Sequence, residues 1–196
     1  MSNLSTTADD ILASARHFIM NGGYNGFSYA DISTVVGIRK ASIHHHFPSK
    51  VDLVRELVRR YREDGQANVA ELEARVPNAF DILTVYANHW AQCIADASRP
   101  YCVCAMLASE LPSLPQDVAD EVTQFFRFIS GWLASVMERG AREGVLQLAS
   151  EPSIEAEAFL ATVYGAMLSA RAYGRPDVFA AILKPVLDRL TPTGSH

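Results

Sequence analysis

The chain of 196 residues lacks most of the patterns that enzymes and secreted proteins depend on. Cysteine occurs three times, too few for a disulfide framework, and no Cys-x-x-Cys pair is present. No glycine-rich loop could cradle a phosphate, and no Gly-x-Ser-x-Gly turn would expose a nucleophile. Catalysis therefore has no anchor in the sequence, and no cofactor is called for. No window approaches the run of about 20 apolar residues that crosses a bilayer. The start, Met1-Ser2-Asn3-Leu4, has neither the basic region nor the apolar run of an export signal. A soluble, cytoplasmic protein without membrane contact is expected. Repeats and low-complexity tracts are absent, and no stretch calls for a sheet.

What is present is helical periodicity. Leu53, Val54, Leu57, Val58 and Tyr61 recur at helical spacing. The pattern predicts a long helix from Lys50 to about Arg75, stopped by Pro77. Further amphipathic segments fall at about 78–97, 101–111, 116–142, 153–173 and 176–190, divided by Pro100, Pro112, Pro115, Gly144, Pro152 and Pro176. An all-α fold follows. At 49% hydrophobic content the chain can bury one substantial core and a small satellite domain.

The satellite is the informative part. Ser28, followed three positions later by Asp31 and then by Ile32, Val35 and Val36, is a helix start in which hydroxyl and carboxylate satisfy orphan amides. Gly37 interrupts the pattern, and a residue that tolerates positive φ lets the chain reverse into a second helix from about Lys40 to Phe47. Two short helices joined in this way form a helix-turn-helix, whose second helix presents its N-terminal residues to the major groove of DNA. Those residues are Arg39, Lys40, Ala41 and Ser42. Lys40, His44, His45 and Lys50 are candidate phosphate contacts, and Pro48-Ser49 opens another helix whose N-terminal amides attract an anion. Ser28 and Tyr29, at the start of the first helix, complete the DNA-contact set. Ile43 and Phe47 fall on the opposite face and would fix the second helix to a core. The run His44-His45-His46 is not a metal site. Successive helical residues point about 100° apart, so three in a row cannot converge on one ion.

At these residues the N-terminal part resembles the TetR family of bacterial repressors, which commonly carry G-V-S-K-G-T-L-Y-H-H-F-x-S-K. Gly37, Lys40, His45, Phe47, Ser49 and Lys50 match it. Upstream, Ile11, Leu12, Ala15, Phe18, Ile19, Gly22-Gly23-Tyr24 and Phe27-Ser28 extend the match, so about a quarter of the chain is covered. Arg39, Ala41, Ser42 and His44 stand where the family has serine, glycine, threonine and tyrosine. Arg39 cannot cap a helix as serine does, and base preference does not carry over from relatives. The resemblance implies about nine helices. Residues 1–50 would form the DNA-binding domain, and 51–196 a ligand-binding and dimerisation domain. It also implies a homodimer and a double-stranded operator, with release by a small molecule.

Charge is distributed unevenly. Residues 1–62 hold eight Lys/Arg against five Asp/Glu, whereas the whole chain carries −5, leaving −8 for the remainder. A basic small domain beside an acidic large one favours docking of DNA on the former. Ordinary solvation of the helix that begins at Lys50 accounts for part of the excess.

In the C-terminal region Tyr86, Trp90, Tyr101, Met106, Phe125, Phe128, Trp132, Tyr164 and Met167 supply enough aromatic and thioether surface to line an apolar effector cavity. Residues at such spacing are most often plain core, so the group counts for more than any member. His89, Arg127 and Arg171 are candidate polar anchors. Cys102 and Cys104 follow Pro100, a residue favoured at helix starts, where a lowered thiol pKa would raise reactivity. The segment around them resembles that of a TetR subgroup containing electrophile and oxidant sensors, with Cys102 in the cysteine position and Tyr101 replacing glycine. Small cysteines are also among the most buried residues, and are inert there. Between Phe159 and Tyr173, Ala161, Gly165, Ala166, Ser169, Ala170 and Ala172 permit close helix approach. By resemblance, dimerisation uses roughly residues 153–190. Three readings follow: a repressor released by an apolar or amphipathic effector, a thiol-sensing repressor, and a ligand-binding or scaffolding protein of the same fold without operator recognition.

Overall fold

A computed structural model describes residues 6–96 and 101–192. Among the described residues there are nine α-helices, one 3-10 turn and no strand. In order they are α1 (Thr7–Gly22), α2 (Tyr29–Val36), α3 (Lys40–His46), α4 (Lys50–Arg75), α5 (Ala79–Ala95), α6 (Val103–Ala108), α7 (Gln116–Arg142), α8 (Pro152–Tyr173) and α9 (Asp177–Leu190). The helix expected over 101–111 is shorter than its sequence pattern. After α6 the chain tightens into the 3-10 turn Leu111–Ser113, where Pro112 offers no amide for a continuing α-helix. Pro100 and the tail Gly194-Ser195-His196 lie outside the described residues.

The chain forms two compact units. The first takes the chain up to Gly65 together with Cys102–Phe126, and the second takes Gln66–Tyr101 with the chain from Arg127 onward. In the first, Ile11, Ala15 and Ile19 of α1 are buried with Ile32 of α2, Ile43 of α3 and Leu53, Val54, Leu57 and Val58 of α4. Each such side chain contributes roughly 1.5–3 kcal/mol through burial. The start of α4 thus completes the core on which α2 and α3 rest.

The second unit pairs α8 with α9 and sets α5 against both. Its buried charge is Glu155, which accepts the Ala149 amide at 3.1 Å, the Ser150 hydroxyl at 3.1 Å and Arg189 at 3.3 Å. That carboxylate ties the loop before α8 to the end of α9. Pro185 sits inside α9 on an exposed position. Among the described residues no helix is long and apolar enough to cross a membrane.

Candidate nucleic-acid interface

Local hydrogen bonding makes the α2–turn–α3 unit. The Ser28 hydroxyl accepts the Ala30 amide at 3.2 Å, while the Asp31 carboxylate accepts the Ser28 amide at 2.7 Å, closing a reciprocal cap on α2. Gly37 ends α2 in the left-handed region, at φ 75° and ψ 28°, and donates to the Ser33 carbonyl at 3.0 Å. Ser33 in turn donates its hydroxyl to Ile38 O at 2.6 Å, which fixes the reversal. At the N-cap of α3, Arg39 makes no capping bond. Its guanidinium is left exposed at the helix start.

The two faces of α3 divide cleanly. Ile43 is fully buried and Phe47 nearly so, whereas Arg39, Lys40, Ala41, His44, His45 and His46 are exposed and Ser42 is half-buried. Tyr29 holds α2 to the end of α3 by donating to Phe47 O at 2.9 Å, and its ring lies 4.7 Å from that of His44. Burial raises the Tyr29 hydroxyl to about 12, with the charges of Asp52 and Tyr24 adding to it, so it remains a donor. His44 meets Pro48 O at 3.1 Å. Lys50 is half-buried: its ammonium donates to Phe27 O at 2.5 Å and lies over the rings of Phe27 and Tyr24 at 4.2 and 4.9 Å. Burial lowers its pKa, against the raising effect of Asp31 and Glu110. Ser49 and Asp52 cap α4 reciprocally, each accepting the other's amide at 3.1 Å. Among the described residues no group of three His, Cys, Asp or Glu could hold a metal.

The expected basic small domain needs correction. The first unit gains Glu63, Asp64, Glu110, Asp117, Asp120 and Glu121, so it holds eight Lys/Arg against eleven Asp/Glu. The α4 arginines from Arg55 to Arg62 are paired. Arg59 bonds Glu56 and Glu63, Arg60 bonds Glu56 and Asp9, Arg62 bonds Glu121, and Arg55 bonds Asp52 and Asp117. The exposed positive charge of Arg39 and Lys40 at the start of α3 is therefore a local feature, not a property of the unit. A second contact escaped the sequence reading: both oxygens of Glu110 accept the Tyr24 amide, at 3.2 and 3.1 Å. Gly23 beside it has φ 73°, and a Cβ there would strike the Glu110 carboxylate. The positive φ was legible as glycine, but the partner 86 positions away was not.

The nine candidate cavity residues do not share one unit. Met106 and Phe125 belong to the first, where Phe125 packs on Tyr61 at 5.4 Å. In the second, Tyr86 has Trp90, Trp132 and Phe159 around it at 6.5, 5.6 and 6.4 Å between ring centres. Tyr101 lies under the Arg171 guanidinium at 4.5 Å. Met167 is buried, Phe128 and Tyr164 are half-buried, and His89 and Arg127 are exposed. A hollow of about 210 Å³ opens elsewhere, lined by residues of α1 and α4 including Leu12, Arg16, Leu57 and Tyr61.

Cys102 and Cys104 are fully buried in the first unit, at the N-cap and first turn of α6. The Tyr61 hydroxyl donates to Cys102 Sγ at 3.6 Å. Burial pushes the Cys102 thiol up, but hydrogen bonds from Cys104, Tyr61 and the amides of Ala105 and Cys104 outweigh it and hold the thiol below its ordinary value. Burial pushes Cys104 up. Cys93 is half-buried on α5, 3.6 Å from the ring of His89.

An exposed α3 held at a fixed angle by α2, Tyr29 and the start of α4 is the apparatus of a helix-turn-helix regulator of transcription. Residues 11–57 match the family profile described as bacterial regulatory proteins, tetR family. The solved structure of a TetR-family transcriptional regulator from Agrobacterium tumefaciens is 55% identical, covers 95% of this chain and 98% of its own, and superposes with a TM-score of 0.93. The chain belongs to the TetR family, and is a DNA-binding transcriptional regulator and not an enzyme. A TetR regulator from Legionella pneumophila is 27% identical over 96% of this chain and all of its own, with a TM-score of 0.87. The reduced form of Escherichia coli NemR shares the fold at 21% identity, with 97% and 100% coverage and a TM-score of 0.84. No curated protein sequence matches the chain.

Proposed function

We propose that the protein is a cytoplasmic, dimeric repressor that leaves its operator when a small apolar or amphipathic effector occupies the C-terminal domain, taken as residues 51–196 beside a DNA-binding domain of residues 1–50. The observation that carries the DNA-binding part is the division of α3, with Ile43 and Phe47 inward and Arg39, Lys40 and the histidines outward. Arg39, Ala41 and Ser42 face base edges. Lys40, His44, His45 and Lys50 face phosphates, with Ser28 and Tyr29 at the flank. Lys50 has three donors, and Phe27 O takes one.

Support for a dimer comes from α8. Its buried face runs through Ala156, Phe159, Val163, Ala166 and Ala170, yet Ile154 and Leu168 on the other side are 59% and 65% exposed. Ile154, Ala161, Gly165 and Leu168 form one stripe at helical spacing, and space around Gly165 is open. A helix apolar on both faces needs a second partner, and a second copy supplies it with two-fold symmetry. A two-fold dimer of this kind would present two copies of α3 to successive major grooves, about 34 Å apart on a symmetric operator.

Effector binding shifts the population toward a dimer whose α3 helices are wrongly spaced, with a coupling of about 1–3 kcal/mol. A thiol trigger is the second reading, favoured by the Tyr61–Cys102 contact and opposed by the full burial of both thiols. Fluorescence anisotropy on duplexes from the protein's own upstream region tests the main reading. Salt-sensitive, saturable binding that Lys40→Ala weakens on every sequence is expected, and salt-independent or absent binding contradicts it. A Cys93/Cys102/Cys104 triple-serine variant that no longer releases DNA with hypochlorite, while wild type does, would move the trigger to the thiols.

A further inference from the structure

Trp90 and Trp132 are the chain's two tryptophans, and both are more than nine-tenths buried against Tyr86 in the second unit. Neither indole N–H has a hydrogen-bond partner. An indole nitrogen is a donor only, and a buried donor left unsatisfied is costly. Two such groups around one aromatic ring are more than plain core packing requires, since apolar side chains would carry no unsatisfied donor. The other unpartnered buried polar atoms described in this unit are Nε and Nη2 of Arg139, two turns along the same face of α7 from Trp132. Its Nη1 donates to Glu73 at 3.4 Å. Every one of these atoms is a donor. Around Tyr86 the unpartnered groups are thus the two indole donors.

We infer that the effector is a flat, apolar molecule carrying hydrogen-bond acceptors, such as an aromatic or conjugated carbonyl compound, neutral or anionic, whose oxygen atoms take the indole N–H groups of Trp90 and Trp132. This rests on the reading that the C-terminal domain binds an effector, and it names that effector's chemistry. The rings of Trp90, Trp132 and Phe159 pack around that of Tyr86 with centres 5.6–6.5 Å from its own, so a flat molecule that enters among them stacks on aromatic surface. An aromatic cluster by itself also suits a quaternary ammonium ion. The unpartnered donors decide against that, because a cation brings no acceptor for them.

Three probes of similar bulk separate the possibilities: 9-fluorenone, fluorene, which has the same rings without the carbonyl, and benzyltrimethylammonium. Quenching of intrinsic tryptophan fluorescence reads binding at the site itself, since no other tryptophan contributes. On the full-length protein, 9-fluorenone should bind roughly tenfold more tightly than fluorene, the worth of about one good hydrogen bond. Trp90→Phe and Trp132→Phe keep an aromatic ring and leave one fluorophore each, and at least one should reduce that preference several-fold without unfolding the chain. Equal binding of fluorene, tighter binding of benzyltrimethylammonium, or a preference for 9-fluorenone that survives in both variants would overturn the assignment. If none of the three perturbs the fluorescence, the reading of this domain as an effector site falls with it.

Discussion

At the level of single residues, two neighbours on α3 are expected to behave oppositely. Lys40→Ala removes one phosphate contact, so it should weaken binding to all DNA about equally and lower the slope of log affinity against log salt by roughly 0.9. Arg39→Ala should instead relax preference at one base pair by about 1–3 kcal/mol, read from affinities for duplexes that differ at single positions. Uniform loss at Arg39 would remove it from the base-reading set. Arg39 also occupies the uncapped start of α3. Arg39→Ser should therefore raise thermal stability by about 1 kcal/mol through the cap it restores, while lowering base discrimination. Unchanged or lower stability in that variant, measured by circular dichroism, would mean that the α3 start is held by something other than its cap. The exposed half of this site was legible from type and spacing alone. Ile43 and Phe47 declared the inner face, and Arg39, Lys40, Ala41, His44, His45 and His46 are exposed, whereas Ser42, Tyr29 and Lys50 are half-buried by neighbours that spacing did not show.

Elements were legible where their ends are written locally. Ser28 with Asp31, Gly37, Pro112 and Pro152 mark boundaries through bonds that reach no more than about four residues, and the structure places boundaries there. The helix after residue 101 was overestimated because apolar spacing continues past Ala108, where a prolyl turn takes over. Long-range pairs were not legible. Glu110 on the Tyr24 amide and Arg62 on Glu121 join residues with no periodic relation, and they turned an apparently basic domain into an acidic unit. Along α4 the ion pairs set the response to acid. Hydrogen bonding to Arg59, partly offset by burial and aided by Arg60, holds the Glu56 carboxyl at about 2 against an ordinary 4.5. A carboxyl depressed in the folded state stabilises above its unfolded value and loses that contribution as pH falls through the folded one. Urea midpoints should thus be insensitive to Glu56→Gln near pH 2 and lower than wild type near pH 6. A variant equal to wild type at both would show the Glu56 pairs to be energetically silent, as many exposed pairs are.

For the whole molecule, operator recognition as proposed takes two copies of the chain acting on one duplex. Leu168→Asp places a charge on the exposed stripe of α8 and should shift sedimentation from dimer to monomer while leaving helical content intact. A dimer that survives that change would move the interface off α8. The central claim, that paired α3 helices read a symmetric operator, is tested most directly by selecting bound duplexes from a random library with the full-length protein. Enrichment of an inverted repeat is expected, with half-sites about 10 base pairs apart or a multiple of that, lost or relaxed at a defined position in Arg39→Ala. Enrichment of no motif, or of a single half-site with no symmetric partner that Arg39→Ala leaves unchanged, would contradict it.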